Sequence, residues 1–158
     1  MSELSEMPEP STEYLRSVRD VALGLLGIAE RLRQHWGAHA AALGMSGAQV
    51  KVLLSLVPGE PVPMRSLAER LDYDASNLTT LVDRLQRRGA IERRPDPVDR
   101  RVKALLLTPE GENLRAVFWR DLVEDPGPLA PLDETDICTL ARLLAALDPK
   151  PTERPAAH

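Results

Sequence analysis

The sequence predicts a mainly α-helical chain with one small β-hairpin set among its helices. Three observations carry this. Apolar residues recur at spacings of three and four through the N-terminal, central and C-terminal thirds, and Gly or Pro punctuates the chain where those runs end. One stretch breaks the helical pattern: an extended run Ala90 to Arg94, a Pro-Asp-Pro tip, and a returning run Arg101 to Leu107. At 158 residues, with 43% apolar and 28% charged side chains, the chain has the composition of one soluble globular domain. That domain is expected over 12–148, with disordered ends at 1–11 and 149–158. No apolar run approaches the roughly 18 residues of a membrane span, and the acidic start MSELSEMPEP is unlike a secretory leader, so a cytoplasmic protein with no membrane partner is expected. Its single cysteine, Cys138, excludes an internal disulfide.

Each element has its own signal. From Thr12 to Leu43, the residues Leu15, Val18, Ala22, Leu25, Ala29, Leu32, Trp36, His39 and Leu43 form a heptad-like seam along one long helix. Ser46-Gly-Ala-Gln49 is a capping box that starts a second helix, stopped by Pro58-Gly59. Pro63 suits the first turn of a third. Asp72 tolerates the left-handed backbone a tight turn requires, Tyr73 covers the core beside it, and Asp74 caps a fourth helix that Gly89 closes. After the hairpin, Thr108-Pro109 opens a helix reaching about Glu124, Asp125-Pro-Gly-Pro breaks it, and Asp133 begins the last helix with its stripe of Ile137, Leu140, Leu143, Leu144 and Leu147.

The helix after Asp74 has an outward face suited to DNA. Leu78, Leu81, Val82 and Leu85 fall on one buried stripe, which at about 100° per residue turns Ser76, Thr80, Asp83 and Arg87 outward, with Asn77 and Arg84 on one flank and Thr79 on the other. Short hydroxyl and amide groups at the N-terminal half can approach base edges, and arginines at the C-terminal half can reach phosphates. The hairpin adds Arg93, Arg100 and Arg101, with Asp99 at its tip. Between Arg84 and Lys103 there are eight basic residues against three acidic ones, although the whole chain carries −4. A short basic stripe on an acidic body favours one docking face over diffuse polyanion binding. The DNA-binding set expected from these patterns is Ser76, Asn77, Thr79, Thr80, Arg84, Arg87, Arg93, Asp99, Arg100 and Arg101. Asp99 cannot contact DNA by charge. It either holds Arg100 or Arg101 through a charge-assisted hydrogen bond or caps the hairpin turn, while Asp83 is placed to tether the hairpin through Arg93.

The run LAERL, the helix end LVDRLQRRG and the segment IERRPDPVDRRVKALLLTPEG together resemble the winged helix-turn-helix of the multiple-antibiotic-resistance regulator (MarR) family. Wings of that family carry Asp-x-Arg at the tip and end in a Leu-Thr-x-x-Gly helix start, matched here by Asp99, Arg101, Leu107, Thr108 and Gly111. The chain departs from the pattern at Asp72 and Tyr73, where a Gly and a small aliphatic residue are usual, and at Pro63, where a polar helix start is usual. The resemblance covers about residues 12–148. It implies a winged domain over about 46–108, dimerisation helices over about 12–43 and 109–148, and a repressor released by a small-molecule effector. The effector would bind between the dimerisation helices and the winged domain, with His35, Trp36, His39 and Trp119 as candidate lining residues that could equally be plain core. A homodimer reading a pseudo-palindromic operator follows from two-fold symmetry.

No cofactor, metal site or catalytic residue is assigned. The chain has no Gly-rich phosphate loop, nucleophile elbow or His-Glu-Xaa-Xaa-His string. His35 and His39 have the i, i+4 spacing that lets two imidazoles share an ion, but further ligands would have to come from elsewhere in the chain. Cys138 is placed mid-pattern on the last helix as a packed residue, and the resembled family's peroxide sensors use a cysteine early in the first helix, where this chain has none. The alternatives to a DNA-binding regulator are a winged protein-interaction module without DNA readout and a zinc-responsive regulator acting through His35 and His39.

Overall fold

The computed structural model describes residues 10–97 and 99–147, so the ends expected to be disordered lie outside it except for Pro10 and Ser11. Ser11 is the N-cap of the first helix, its hydroxyl accepting from the Tyr14 N–H at 3.1 Å. That helix, α1, runs Thr12–Ala42 and spans about 46 Å at 1.5 Å per residue. The chain continues through α2 (Gly47–Leu54), β1 (Val62–Pro63), α3 (Met64–Leu71), α4 (Ala75–Arg87), β2 (Ile91–Pro95), β3 (Lys103–Leu107), α5 (Pro109–Glu124), a single 3-10 turn (Gly127–Leu129) and α6 (Glu134–Leu147).

The hairpin belongs to a sheet of three strands, in the antiparallel order β1-β3-β2. The sequence reading has two strands and gives Pro63 to a helix. Pro63 instead pairs with Ala104 at the sheet edge while also occupying the N-cap position of α3, where it makes no side-chain cap bond. An edge position costs a proline no ladder bond, since its missing N–H has no partner to lose.

The core lies under this sheet. Phe118 of α5, Leu53 of α2, Leu67 of α3, Leu78 and Leu85 of α4, Ile91 of β2 and Leu105 of β3 are all fully buried. Each such side chain contributes about 1.5–3 kcal/mol of transfer free energy. Between α3 and α4 the turn takes the form the sequence suggests: Asp72 adopts φ 54°, ψ 47°, the sole positive φ at a non-glycine among the described residues. Tyr73 packs half-buried against the core, with the Lys51 ammonium 5.1 Å from its ring centre. The outer helices differ in kind from this centre. α1 buries Ala40 alone, and α6 buries none of its residues.

A DNA-facing helix and its wing

α4 presents the face its sequence predicts. Leu78, Leu81, Val82 and Leu85 are buried, while Ser76, Asn77, Thr79, Thr80, Asp83, Arg84 and Arg87 are exposed. The Asp74 carboxylate caps the helix, accepting from the Asn77 N–H at 2.8 Å and the Ser76 hydroxyl at 2.6 Å. The Ser76 bond first, and then the Asn77 N–H, hold this carboxyl below its ordinary pKa. Thr79 and Thr80 donate their hydroxyls to the carbonyls of Ala75 (2.7 Å) and Ser76 (3.1 Å). Each hydroxyl therefore offers its lone pairs outward as an acceptor.

The base of the hairpin is locked to the end of α4 by one compact joint. Thr108 N–H donates to Ala90 O (3.1 Å), its hydroxyl donates to Gly89 O (2.5 Å), and the same hydroxyl accepts from Gly111 N–H (3.1 Å) as the cap of α5. A Cβ on Gly111 would stand 2.0 Å from the Ala90 carbonyl oxygen, so this approach of α5 to the hairpin requires glycine. The Leu-Thr-x-x-Gly string is thus a three-way junction of recognition-type helix, wing and α5.

Over α4 and the wing the basic side chains divide into two groups. Arg93 is tied back to α4, donating to Asp83 Oδ1 at 2.6 Å and to Gln86 Oε1 at 2.5 Å, and Arg94 pairs with Glu92 at 2.6 Å. Gln86 is a partner that sequence reasoning misses; it lies one turn from Asp83, and that spacing is its signal. Arg84, Arg100, Arg101 and Lys103 have no carboxylate partner among the described residues, and Arg87 reaches only the Asp83 carbonyl, at 3.3 Å. Asp99 holds neither wing arginine through its guanidinium. Its Oδ1 accepts from the Arg101 backbone N–H at 3.0 Å, its own N–H donates to the buried Asp96 at 3.1 Å, and its carbonyl accepts from Val102 N–H at 2.9 Å. Of the two roles open to Asp99, the turn cap is the one its bonds describe, because a carboxylate two residues before an N–H closes a local ring at less entropic cost than immobilising a long side chain.

The four residues expected near an effector do come together, as an aromatic pile between α1 and α5. Trp36 meets Phe118 and Trp119 edge-on at 5.6 and 6.0 Å, and the His35 and His39 rings are 4.6 Å apart. Trp119 Nε1 is buried without a hydrogen-bond partner among the described residues. A cleft of about 400 Å³ lies further along α1 and is lined by other residues, among them Val21, Leu25, Ile28, Leu129, Leu132 and Leu140. Asp125, read from the sequence as part of a helix break, lies beside both histidines. Cys138, expected to be packed, is exposed, because its face of α6 meets nothing among the described residues.

A helix-turn-helix closed by a sheet whose hairpin carries unpaired arginines defines a winged helix-turn-helix protein. Residues 43–102 match the MarR family model, and the chain belongs to the MarR family, a family of transcriptional regulators and not of enzymes. The HTH-type transcriptional repressor MdtR of Bacillus subtilis is 31% identical over 93 residues, which cover 59% of this chain and 60% of that protein. The chain thus spans less than two thirds of this relative's length. Among solved structures, wild-type MarR from E. coli in its apo form is 25% identical with a TM-score of 0.64, covering 81% of this chain and 96% of that one. A cysteine-to-serine variant of E. coli MarR complexed with operator DNA shares the fold at 24% identity and a TM-score of 0.67, covering 84% of this chain and 96% of that one. No helix among the described residues is long and apolar enough to cross a membrane.

Proposed function

We propose that the protein is a homodimeric, sequence-specific double-stranded DNA-binding regulator that works in the cytoplasm as a repressor released by a small-molecule effector. The observation that carries this reading is the division of charge over α4 and the wing. Arg93 and Arg94 are neutralised within the chain, whereas Arg84, Arg87, Arg100, Arg101 and Lys103 are exposed without carboxylate partners. Such cations gain most by displacing counterions from phosphates. In this reading Ser76, Asn77, Thr79 and Thr80 face base edges in the major groove, Arg84 and Arg87 hold the phosphates, and Arg100 and Arg101 reach the flanking minor groove. Arg93 positions the wing instead of contacting DNA. That a protein of the same fold, an E. coli MarR variant, was solved in complex with operator DNA supports DNA as the partner. For release, the pile of His35, Trp36, His39 and Trp119 joins the dimerisation helices α1 and α5 where they pack against the core, and the Trp119 N–H, which has no partner among the described residues, is a donor for an effector oxygen.

Footprinting and salt titration on the DNA flanking the gene test the binding mode. Log affinity falls by about 0.9 per phosphate contact against log salt, with half-sites roughly one helical turn apart. Alanine at Ser76, Asn77 or Thr80 reorders operator preference, at about 1–3 kcal/mol per contact, whereas Arg87→Ala weakens all operators alike and lowers the salt slope by about one. Arg101→Ala loses about 1–3 kcal/mol and Arg101→Lys recovers part of it. Salt-independent binding, or a single asymmetric half-site, overturns the proposal in favour of a winged module that binds protein.

A further inference from the structure

His35 and His39 stand one turn apart on α1 with their Nε2 atoms 3.2 Å from each other. The third member comes from 86 residues downstream of His39, at the corner between α5 and α6. Asp125 places Oδ2 3.6 Å from His39 Nε2 and Oδ1 3.9 Å from His35 Nε2. One donor atom from each residue lies within 4.8 Å of the other two. Ligands at about 2.0–2.2 Å around a tetrahedral ion are spaced about 3.3–3.6 Å apart, so the imidazole pair is already near this spacing, whereas the carboxylate meets each histidine with a different oxygen and must turn to bring one oxygen toward both.

We propose that His35, His39 and Asp125 bind a divalent transition metal ion, zinc being the best match, with water in the fourth position. Two imidazoles and a carboxylate select borderline cations such as zinc or cobalt over magnesium and calcium, which require more oxygen ligands. The site is walled on one side and wet on the other: both imidazoles are 18% exposed and the carboxylate 66%.

The His35 ring is confined before any ion arrives. Gly127, at φ +55°, lies so close over His35 that a Cβ there would stand 2.6–2.7 Å from the ring. This corner therefore fixes the ring plane. The Asp125 carbonyl, 2.8 Å from His35 Nε2, can only accept, so a neutral His35 carries its proton on Nε2. Binding breaks this hydrogen bond: the ring proton moves to Nδ1 and the Asp125 carbonyl turns aside, so that the metal takes its place at Nε2. The carboxylate also accepts from Gly127 N–H at 3.3 Å, which anchors it from behind. An ion here joins α1 to the α5–α6 corner, two segments otherwise held by packing and by the bond between His35 and the Asp125 carbonyl.

The test is metal binding by the full-length protein in the absence of DNA, so its failure is distinguishable from failure of the proposed function. Cobalt(II) should give the visible d–d bands of a four-coordinate site, saturating at one ion per chain, displaced by zinc and untouched by magnesium. Zinc should also raise the melting temperature. His39→Gln and Asp125→Asn should each weaken cobalt binding by about 100-fold or more, beyond the 10–100-fold typical of outer-shell changes, with metal-free melting curves like the parent's. Asp125 is exposed, so Asp125→Asn keeps the test decisive if His39→Gln does not fold. Absence of cobalt bands in the parent overturns the proposal, as does an Asp125→Asn variant that binds as tightly as the parent, which would place the ion elsewhere, for instance on His158.

Discussion

α4 and α6 have nearly the same length, 13 and 14 residues, and each carries a stripe of leucines, yet α4 buries four of its side chains and α6 buries none. The stripe of α4 is satisfied inside the chain by α2, α3 and β2. That of α6 leaves Ile137, Leu143, Leu144 and Leu147 between 37% and 69% exposed, and the first half of α1 leaves Leu15, Val18, Val21 and Leu26 at 48–69%. Identical patterning therefore means two different things. A stripe facing its own chain is spent on the chain's own core; a stripe that meets nothing among the described residues leaves an apolar surface, and in the proposed homodimer that is where the second copy sits.

The largest effect should come from breaking that surface. Leu144→Glu paired with Leu26→Glu should leave a folded monomer by ultracentrifugation and lower operator affinity by about 10²–10⁴-fold, since two linked half-site contacts become one. A dimer that survives both changes would place the interface elsewhere. Next in size, Phe118→Ala should destabilise the head by about 3–5 kcal/mol, independent of protein concentration. Leu143→Ala should behave differently, with a melting temperature that depends on concentration, because its cost is borne by association. If both variants respond alike to dilution, the distinction between complete head and unfinished flank fails.

The stripes, caps and turn of the head were legible in the residues because each is a local pattern: Asp74 lies three residues before the N–H it caps, and Asp72 stands in a turn whose backbone few side chains tolerate. β1 was not, since Val62–Pro63 is too short to show alternation and its proline also suits a helix start. The Asp83–Arg93 pair was legible from the approach of the hairpin to α4. Asp125 was not, because a contact with His35 across 90 positions leaves no trace in spacing.

Smaller changes sharpen the comparison within the head. Asp99→Ala removes the turn cap and should weaken operator binding by about 1 kcal/mol, the net worth of one such bond. Asp99→Asn keeps an acceptor and removes a negative charge, so it should bind at least as tightly as the parent. Weaker binding by the Asn variant at fixed salt would restore the guanidinium-holding role. The smallest effect belongs to Asp74. Its folded pKa is depressed, so its stabilisation is present above the ordinary carboxylate range and is lost as pH falls through the lowered value. Asp74→Asn should therefore flatten the acid limb of the melting-temperature profile while leaving neutral pH nearly unchanged; an unaltered limb would remove Asp74 from the balance.

Both outer strands of the sheet carry a proline, Pro63 in β1 and Pro95 in β2, and the strand between them is already paired on each side. A proline on a free edge withholds the N–H that an incoming strand would bond, and the arginines beside Pro95 repel a like edge. A sheet of three strands is thus shut to strand addition in both directions. For a chain that leaves so much apolar helix uncovered, this confines self-association to helix-on-helix packing, which can close as a symmetric pair, and denies it the open-ended growth of stacked sheets.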